Sequence, residues 1–228
     1  MLVKKYLTVV TYINNPVDSL YLLELQSRDK PFKFLPGQFL HLALDEYDPS
    51  QGWPESRCFS IQAQNGPDRI ILSFSAKGRF TKRMAIELTA GRPVSVKLPY
   101  GNLFNDVSPD RRCVFIAGGT GLTPFLSLFT DNSFNHYKVP MLYAGFRNSS
   151  YNLYDDYLSR AKALNSGFDY NIKYEDTDGM LNIAEIFSGE QPDSLYFLSG
   201  PPQMIINFRT YLENSGTDKA NIRTDDWE

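Results

Sequence analysis

The sequence predicts two domains of different class. Residues 1–105 read as an antiparallel six-stranded β-barrel, and residues 106–228 as an α/β domain built on a doubly wound parallel sheet. Three observations lead there. Short segments rich in β-branched and aromatic residues recur through the first half, each set off by Gly, Pro, Asn or Asp. The second half alternates apolar runs with helix-period segments, the mark of a parallel sheet covered on both faces. Between them, residues 102–111 collect Asn102, Asn105, Asp106, Ser108, Pro109 and Asp110, a linker composition.

In the first half the predicted strands are residues 3–13, 20–26, 38–44, 57–63, 70–76 and 94–98. One helix interrupts them: Phe80, Met84 and Leu88 recur at four-residue steps, and Gly91 stands where a helix stops. In the second half, strands are predicted at 113–117, 141–145, 170–174, 195–198 and 220–224. Helices are predicted at 124–130, 151–164, 183–187 and 202–214.

Composition narrows the class of function. Hydrophobic residues at 42% are enough for a buried core in each half. The 14 Tyr and 16 Phe suit either a β-rich core or a site that stacks on planar rings, with the core favoured. A net charge of −3 argues against nucleic acid as a partner. Two cysteines, Cys58 and Cys113, are too few for an all-cysteine iron–sulfur cluster and fit a reduced compartment. His41 and His136 lack metal-ligand spacing, so no metal is expected. The start of the chain lacks a secretory layout and no apolar run reaches membrane-spanning length. A cytoplasmic protein is expected.

Two turns of the second half carry the clearest chemistry. Gly118-Gly119-Thr120-Gly121-Leu122-Thr123-Pro124 follows a predicted strand and opens a predicted helix. Glycines there let backbone approach a ligand, and the helix start offers unpaired N–H groups to a pyrophosphate. A merely tight strand–helix turn has the same look. Ser199-Gly200-Pro201-Pro202-Gln203-Met204 follows the fourth predicted strand and opens another helix. In the common doubly wound order the first and fourth strands are neighbours, so both turns are expected to open on one crevice at the carboxyl ends of the strands.

The barrel half has three polar turns. Arg57-Cys58-Phe59-Ser60 offers a forked cation, a flat ring and a small hydroxyl at a strand start. Gly78-Arg79-Phe80-Thr81 opens the predicted helix, either as a plain cap or as an anion site. Leu98-Pro99-Tyr100-Gly101 is a turn by composition.

In this order, the set resembles the ferredoxin–NADP reductase-like flavoproteins, over nearly the whole chain. Arg57 to Ser60 resembles the R-x-[YF]-S flavin motif. Gly78 to Thr81 resembles the G-x-x-[ST] segment on the flavin phosphates, and Leu98 to Gly101 the loop closing the barrel. Gly118 to Pro124 resembles the dinucleotide turn, Tyr143-Ala144-Gly145-Phe146-Arg147 a Y-G-x-R strand end, and Ser199 to Met204 the C-G-P-P-x-M motif.

The resemblance implies roles. Phe59 packs against an isoalloxazine, with Cys58 beside it in the motif, and Ser60 lies near its N5. Arg57, Thr81 and the backbone of Arg79 and Phe80 hold flavin phosphate. Thr120, Gly121 and Pro124 meet the nicotinamide nucleotide, with Arg147 at the next strand end and Gly200, Pro201 and Met204 across from it. Ser60 and Ser199 are the candidate catalytic residues. The cofactor implied is FAD in preference to FMN, with NADH or NADPH as donor. The activity implied is hydride transfer from NAD(P)H to bound FAD, then electron transfer to a redox protein such as a ferredoxin, a flavodoxin or an oxygenase component.

Three departures matter. Ser199 stands where many relatives have Cys. Glu175-Asp176 stands near where NADPH users often carry Arg, and carboxylates repel a 2′-phosphate. That favours NADH, although Arg147 and Lys173 pull the other way. The tail ends in Trp227-Glu228, making Trp227 either a cover for the flavin or an exposed tail residue. Two alternatives stay open: an NAD(P)H:flavin reductase that treats flavin as a diffusing substrate, and a non-catalytic electron-transfer subunit.

Overall fold

The computed structural model describes residues 2–108, 110–191 and 193–225. The chain divides into two compact units, Met1–Asn102 and Leu103–Glu228.

The first unit is one curled antiparallel sheet of seven strands: β1 Lys4–Val17, β2 Leu20–Ser27, β3 Phe39–Ala43, β4 Ser56–Ser60, β5 Ala63–Gln64, β6 Arg69–Ser75 and β7 Pro93–Tyr100. Their order across the sheet is β4-β3-β7-β1-β2-β6-β5. Period-two patterning gives the sheet one buried face. Tyr6, Thr8 and Val10 of β1 are buried, and alternate residues are less so. Leu23, Leu25, Leu40, Leu42, Leu72 and Val96 converge on the inside. The helix α1, Arg79–Glu87, adds Phe80 and Met84 to the same core.

Six strands become seven because the expected 57–63 strand changes partners in mid-course. Ser60 is still paired with Phe39 of β3. The N–H of Ile61 then donates to the carbonyl of Gln38 at 3.1 Å, and that of Gln62 to the carbonyl of Ile71, within β6, at 2.9 Å. The two outermost strands of the sheet are therefore consecutive in the chain, joined by the buried pair Ile61 and Gln62. A one-strand reading of this segment misses the hand-over, since periodicity does not show a change of partner.

Gly91 does not stop the helix. α1 ends at Glu87, Leu88 is already extended, and Gly91 (φ +89°) turns the chain into β7 through the Arg92 N–H to Thr89 carbonyl bond at 3.0 Å.

The second unit is a five-stranded parallel sheet: β8 Cys113–Gly118, β9 Met141–Phe146, β10 Asp169–Tyr174, β11 Leu195–Ser199 and β12 Ile222–Thr224, in the order β10-β9-β8-β11-β12. The register of β8 against β11 runs from Cys113 opposite Leu195 to Ala117 opposite Ser199. Alternate residues of β8 serve opposite faces. Phe115 packs with Phe125, Phe129 and Phe197 on one side, while Val114 and Ile116 meet Ile205, Phe208 and Leu212 on the other. This is where much of the aromatic content sits. Phe115 lies 5.1–5.3 Å from the rings of Phe125 and Phe129, edge to face in both cases.

The helices are α2 Thr123–Phe129, α3 Asp155–Leu164, α4 Glu175–Asp178, α5 Ile183–Ser188 and α6 Pro202–Asn214. α3 is shorter than the expected 151–164. Asn148 caps a separate 3-10 turn, Ser149–Tyr151, by accepting from Ser150 N–H at 3.1 Å, and Asn152 accepts from Tyr154 N–H at 3.3 Å. These side chains compete with helix backbone, so the helix starts at Asp155. β12 likewise begins at Ile222 because Asp218 caps a 3-10 turn over Lys219–Asn221. The one-turn α4 is not signalled by periodicity. Among the described residues, no helix is long and apolar enough to cross a membrane.

Candidate functional site

In the barrel unit the polar residues gather where β4 meets the start of α1. Arg57 points outward from β4 and lays its guanidinium over the ring of Phe80, 5.2 Å from the centroid. Its Nη1 donates to the carbonyl of Ser56 at 2.8 Å and its Nη2 to Glu55 Oε1 at 3.1 Å. Phe59 is buried to 9% exposure and meets Phe74 edge to face at 6.2 Å, so most of its ring belongs to the core. Ser60 is buried beside it.

Gly78 precedes α1 in extended geometry, and a Cβ there would find nothing within 4 Å. Space is therefore open on the Cβ side of Gly78, next to the first helical N–H groups, which have no intrahelical acceptor. Thr81 shapes this opening rather than lining it with a spare hydroxyl. Its Oγ1 accepts from the N–H groups of Lys77 and Gly78, both at 3.1 Å, and donates to the Gly78 carbonyl. Phe80 is buried, so what it can offer a ligand is backbone. Arg79 is among the most exposed charged groups here, with its Nη2 3.4 Å from Glu55.

Cys58 faces the other side of β4. It sits directly opposite His41 on β3, with Sγ 3.5 Å from Nε2. Burial, with help from the Lys97 charge, holds the His41 imidazole below its usual pKa. Burial, then the neighbouring Cys58, raises the Tyr100 phenol. At the barrel-closing turn, Gly101 (φ +88°) leaves room for Phe39, whose ring carbon would lie 2.9 Å from a Cβ.

In the α/β unit the expected residues that are described lie at the carboxyl edge of the sheet. The turn after β8 enters a 3-10 segment, Gly119–Leu122, and then α2, with Pro124 in its first turn. The turn after β11 enters α6 through Gly200 and Pro201. The two turns interlock. A Cβ on Gly121 would lie 2.4 Å from the Ser199 carbonyl oxygen, and one on Gly118 would lie 2.8 Å from Pro201 Cδ and 2.9 Å from Met204 Sδ. Gly200 is equally confined, 2.7 Å from Met204 Cε. Three glycines thus let protein meet protein. Gly119 differs: at φ +56° it has nothing within 4 Å, so its backbone faces open space. Thr120 keeps its carbonyl engaged by the Thr123 hydroxyl at 2.9 Å.

Arg147 follows β9 and covers Tyr151, 5.0 Å from the ring centroid, with Nη1 donating to the Tyr151 hydroxyl at 3.1 Å. Glu175 and Asp176 form α4 at the end of β10, and the Asp176 N–H donates to the Arg147 carbonyl at 3.3 Å. Ser199 is buried at 2% exposure and its hydroxyl donates to Asp225 Oδ2 at 3.3 Å. Trp227 lies outside the described residues.

Three participants escape sequence reading. Glu55 gathers Arg57 and Arg79, Tyr151 carries Arg147, and Asp225 holds Ser199. The spacing Arg147 to Tyr151 was the one visible signal.

At the opposite edge of the sheet, Arg112 grips the buried Glu190 through Nε at 2.8 Å and Nη2 at 2.7 Å, while the Tyr143 hydroxyl donates to the same carboxylate at 3.0 Å. Burial, then Glu190, pushes the Tyr143 phenol up to about 12.

A curled antiparallel sheet is followed along the chain by a doubly wound parallel sheet. The chain has the ferredoxin–NADP reductase-like fold that its motifs implied. It is similar to a ferredoxin NADP+ reductase from Neisseria gonorrhoeae with bound FAD and NADP, with a TM-score of 0.78 at 16% identity over 97% of this chain and 98% of that one. In sequence it is 28% identical over 209 residues to a flavohemoprotein of Rhizobium meliloti (strain 1021), covering 83% of this chain and 51% of the relative. It is 33% identical over 95 residues to methane monooxygenase component C of Methylosinus trichosporium, covering 42% of this chain and 27% of the relative. The chain thus spans about half or less of these two relatives. No family model matches it.

Proposed function

We propose that this chain is a flavin-dependent NAD(P)H oxidoreductase, holding FAD on the barrel unit and a nicotinamide dinucleotide on the α/β unit. The observation that carries the reading is the open start of α1 beside Arg57. Gly78 puts no side chain beside the first helical N–H groups and has open space where one would stand, and Arg57 is steadied over Phe80 next to them. A fixed guanidinium and a helix start are the two groups that bind phosphate best.

The chemistry a bound flavin supplies is acceptance of hydride from a reduced nicotinamide and release of electrons to an acceptor. The chain supplies placement and electrostatics. Arg57 and the first N–H groups of α1 balance phosphate charge. Phe59 and Ser60 form the wall of β4 beside them. On the α/β unit the open backbone of Gly119 receives the dinucleotide pyrophosphate, and the interlock with Gly200 fixes the turn. Ser199 and its acceptor Asp225 present an oriented hydroxyl at that edge.

NADH is the favoured donor. Lys173, one of two cations set against the carboxylates of α4, is already paired with Glu185 at 2.8 Å, and Arg147 is held on Tyr151. The protein acceptor fits the kind served by the relatives, an oxygenase component or a haem domain, and the setting is cytoplasmic. A second reading, with flavin as diffusing substrate, is favoured by one observation: both Arg57 and Arg79 already hold a carboxylate, Glu55.

The test is the visible absorption of the purified, desalted chain. Flavin bands at about one per chain, with FAD on acid release, are expected. A colourless protein that speeds NADH oxidation only when free flavin is added would move the assignment to the second reading.

A further inference from the structure

We propose that Glu55 is an internal occupant of the arginine cluster at the start of α1, its carboxylate competing with the phosphate groups of a flavin nucleotide for Arg57 and Arg79. This rests on the flavin reading above and assigns Glu55 control over how firmly the nucleotide is kept.

Three guanidinium groups from two elements converge on this one carboxylate. Arg57 Nη2 lies 3.1 Å from Oε1, Arg79 Nη2 lies 3.4 Å from Oε1 and 3.5 Å from Oε2, and Arg83 Nη1 lies 3.9 Å from Oε2. Arg83 has a stronger partner of its own, Glu87 at 2.8 Å, and Asp45 at 3.9 Å. Arg57 and Arg79 have Glu55 as their paired carboxylate among the described residues.

The two cations that a phosphate would draw on are the ones Glu55 already partners. Both terminal nitrogens of Arg57 are engaged, Nη1 by the Ser56 carbonyl and Nη2 by Glu55. Arg79 is 83% exposed, so the Glu55 contact is what brings it toward β4. A phosphate seated at the α1 start competes with Glu55 for the charge of these two guanidinium groups, whose remaining N–H groups offer it a first foothold. The side chain of Glu55 is 34% exposed, which gives its carboxylate solvent to turn toward. The exchange trades one negative charge for about two, which favours the nucleotide, but only by the difference.

The test is titration calorimetry of flavin-stripped wild-type and Glu55→Gln chains with FAD, ADP and riboflavin. Glutamine keeps the size and removes the charge. Each exposed ion pair is weak, so FAD and ADP are expected to bind about three- to tenfold tighter to the variant. The gain should shrink as salt is raised, and riboflavin, which lacks phosphate, should bind both proteins alike. Glu55→Ala should move FAD and ADP in the same direction. Unchanged or weaker FAD binding in both variants overturns the proposal and leaves the flavin reading standing. If neither protein binds FAD or riboflavin, yet ADP tightens in the variant, the role of Glu55 holds and the flavin reading fails.

Discussion

The carbonyl oxygen of Ser199 occupies the space beside Gly121 so closely that a Cβ added to the glycine would lie 2.4 Å away. The obstacle is backbone of a core strand, which cannot swing aside. Gly121→Ala should therefore force the turn after β8 away from that after β11, at a cost of about 2 kcal/mol or more. Calorimetry should show a melting temperature lower by several degrees. Gly78→Ala is the contrast. With open space and extended backbone, it should leave stability within about 0.5 kcal/mol.

Arg57→Ala should weaken flavin retention more than dinucleotide affinity. It removes a charge-assisted donor set and its stacking on Phe80, so a loss of about tenfold or more in FAD affinity is expected. Fluorescence titration with FAD and, separately, with a nicotinamide dinucleotide measures both. Equal retention by mutant and parent would remove Arg57 from the phosphate site.

Arg112→Met should be among the most destabilising changes at the far edge of the α/β unit. The side chain of Glu190 is only 2% exposed, and losing its bidentate partner strands a buried carboxylate. A cost of about 3 kcal/mol or more is expected from denaturant titration. The Arg112→Met, Glu190→Leu double variant should recover part of it, because the stranded charge is then gone.

His41 gives the barrel a pH response with a definite sign. Its pKa is depressed by burial and by Lys97, so the unfolded chain binds its proton more readily than the folded one. The stability it contributes is complete above the ordinary histidine value of about 6.5 and is lost as pH falls below it toward the folded pKa. Denaturation midpoints measured between about pH 7.5 and 5 should fall, and His41→Gln should flatten that part of the profile. An unchanged slope would sink the assignment.

Much of this architecture can be read from residue order, and the exceptions share a cause. Alternation in Tyr6, Thr8 and Val10, or the four-step spacing of Phe80 and Met84, is local and survives as pattern. The parallel strands were legible because β8, β9 and β11 are short apolar runs between helix signals. The hand-over at Ile61 and Gln62 was not, because both are simply buried residues until their different partners, Gln38 and Ile71, are known. The site behaves likewise. Arg57, Gly78, Gly119 and Ser199 stand in recognisable turns. Glu55 and Asp225 acquire meaning only through what folding brings within 3.5 Å of them. Glycine identity was visible but not its use: Gly121 and Gly200 accommodate protein, while Gly119 faces open space.

The short link from β4 to β5 makes chain length there as binding a constraint as chemistry. Side chains alternate faces residue by residue, so one inserted residue reverses everything beyond it. Arg57 is anchored opposite Leu42 on one margin and Ala63 opposite Ile71 on the other. An insertion or deletion between Ser60 and Ala63 cannot satisfy both, because correcting one margin turns the other inside out. Substitutions that keep the residue count are the tolerated kind of change in this segment, whatever happens to the loops before Glu55 and after Gln64.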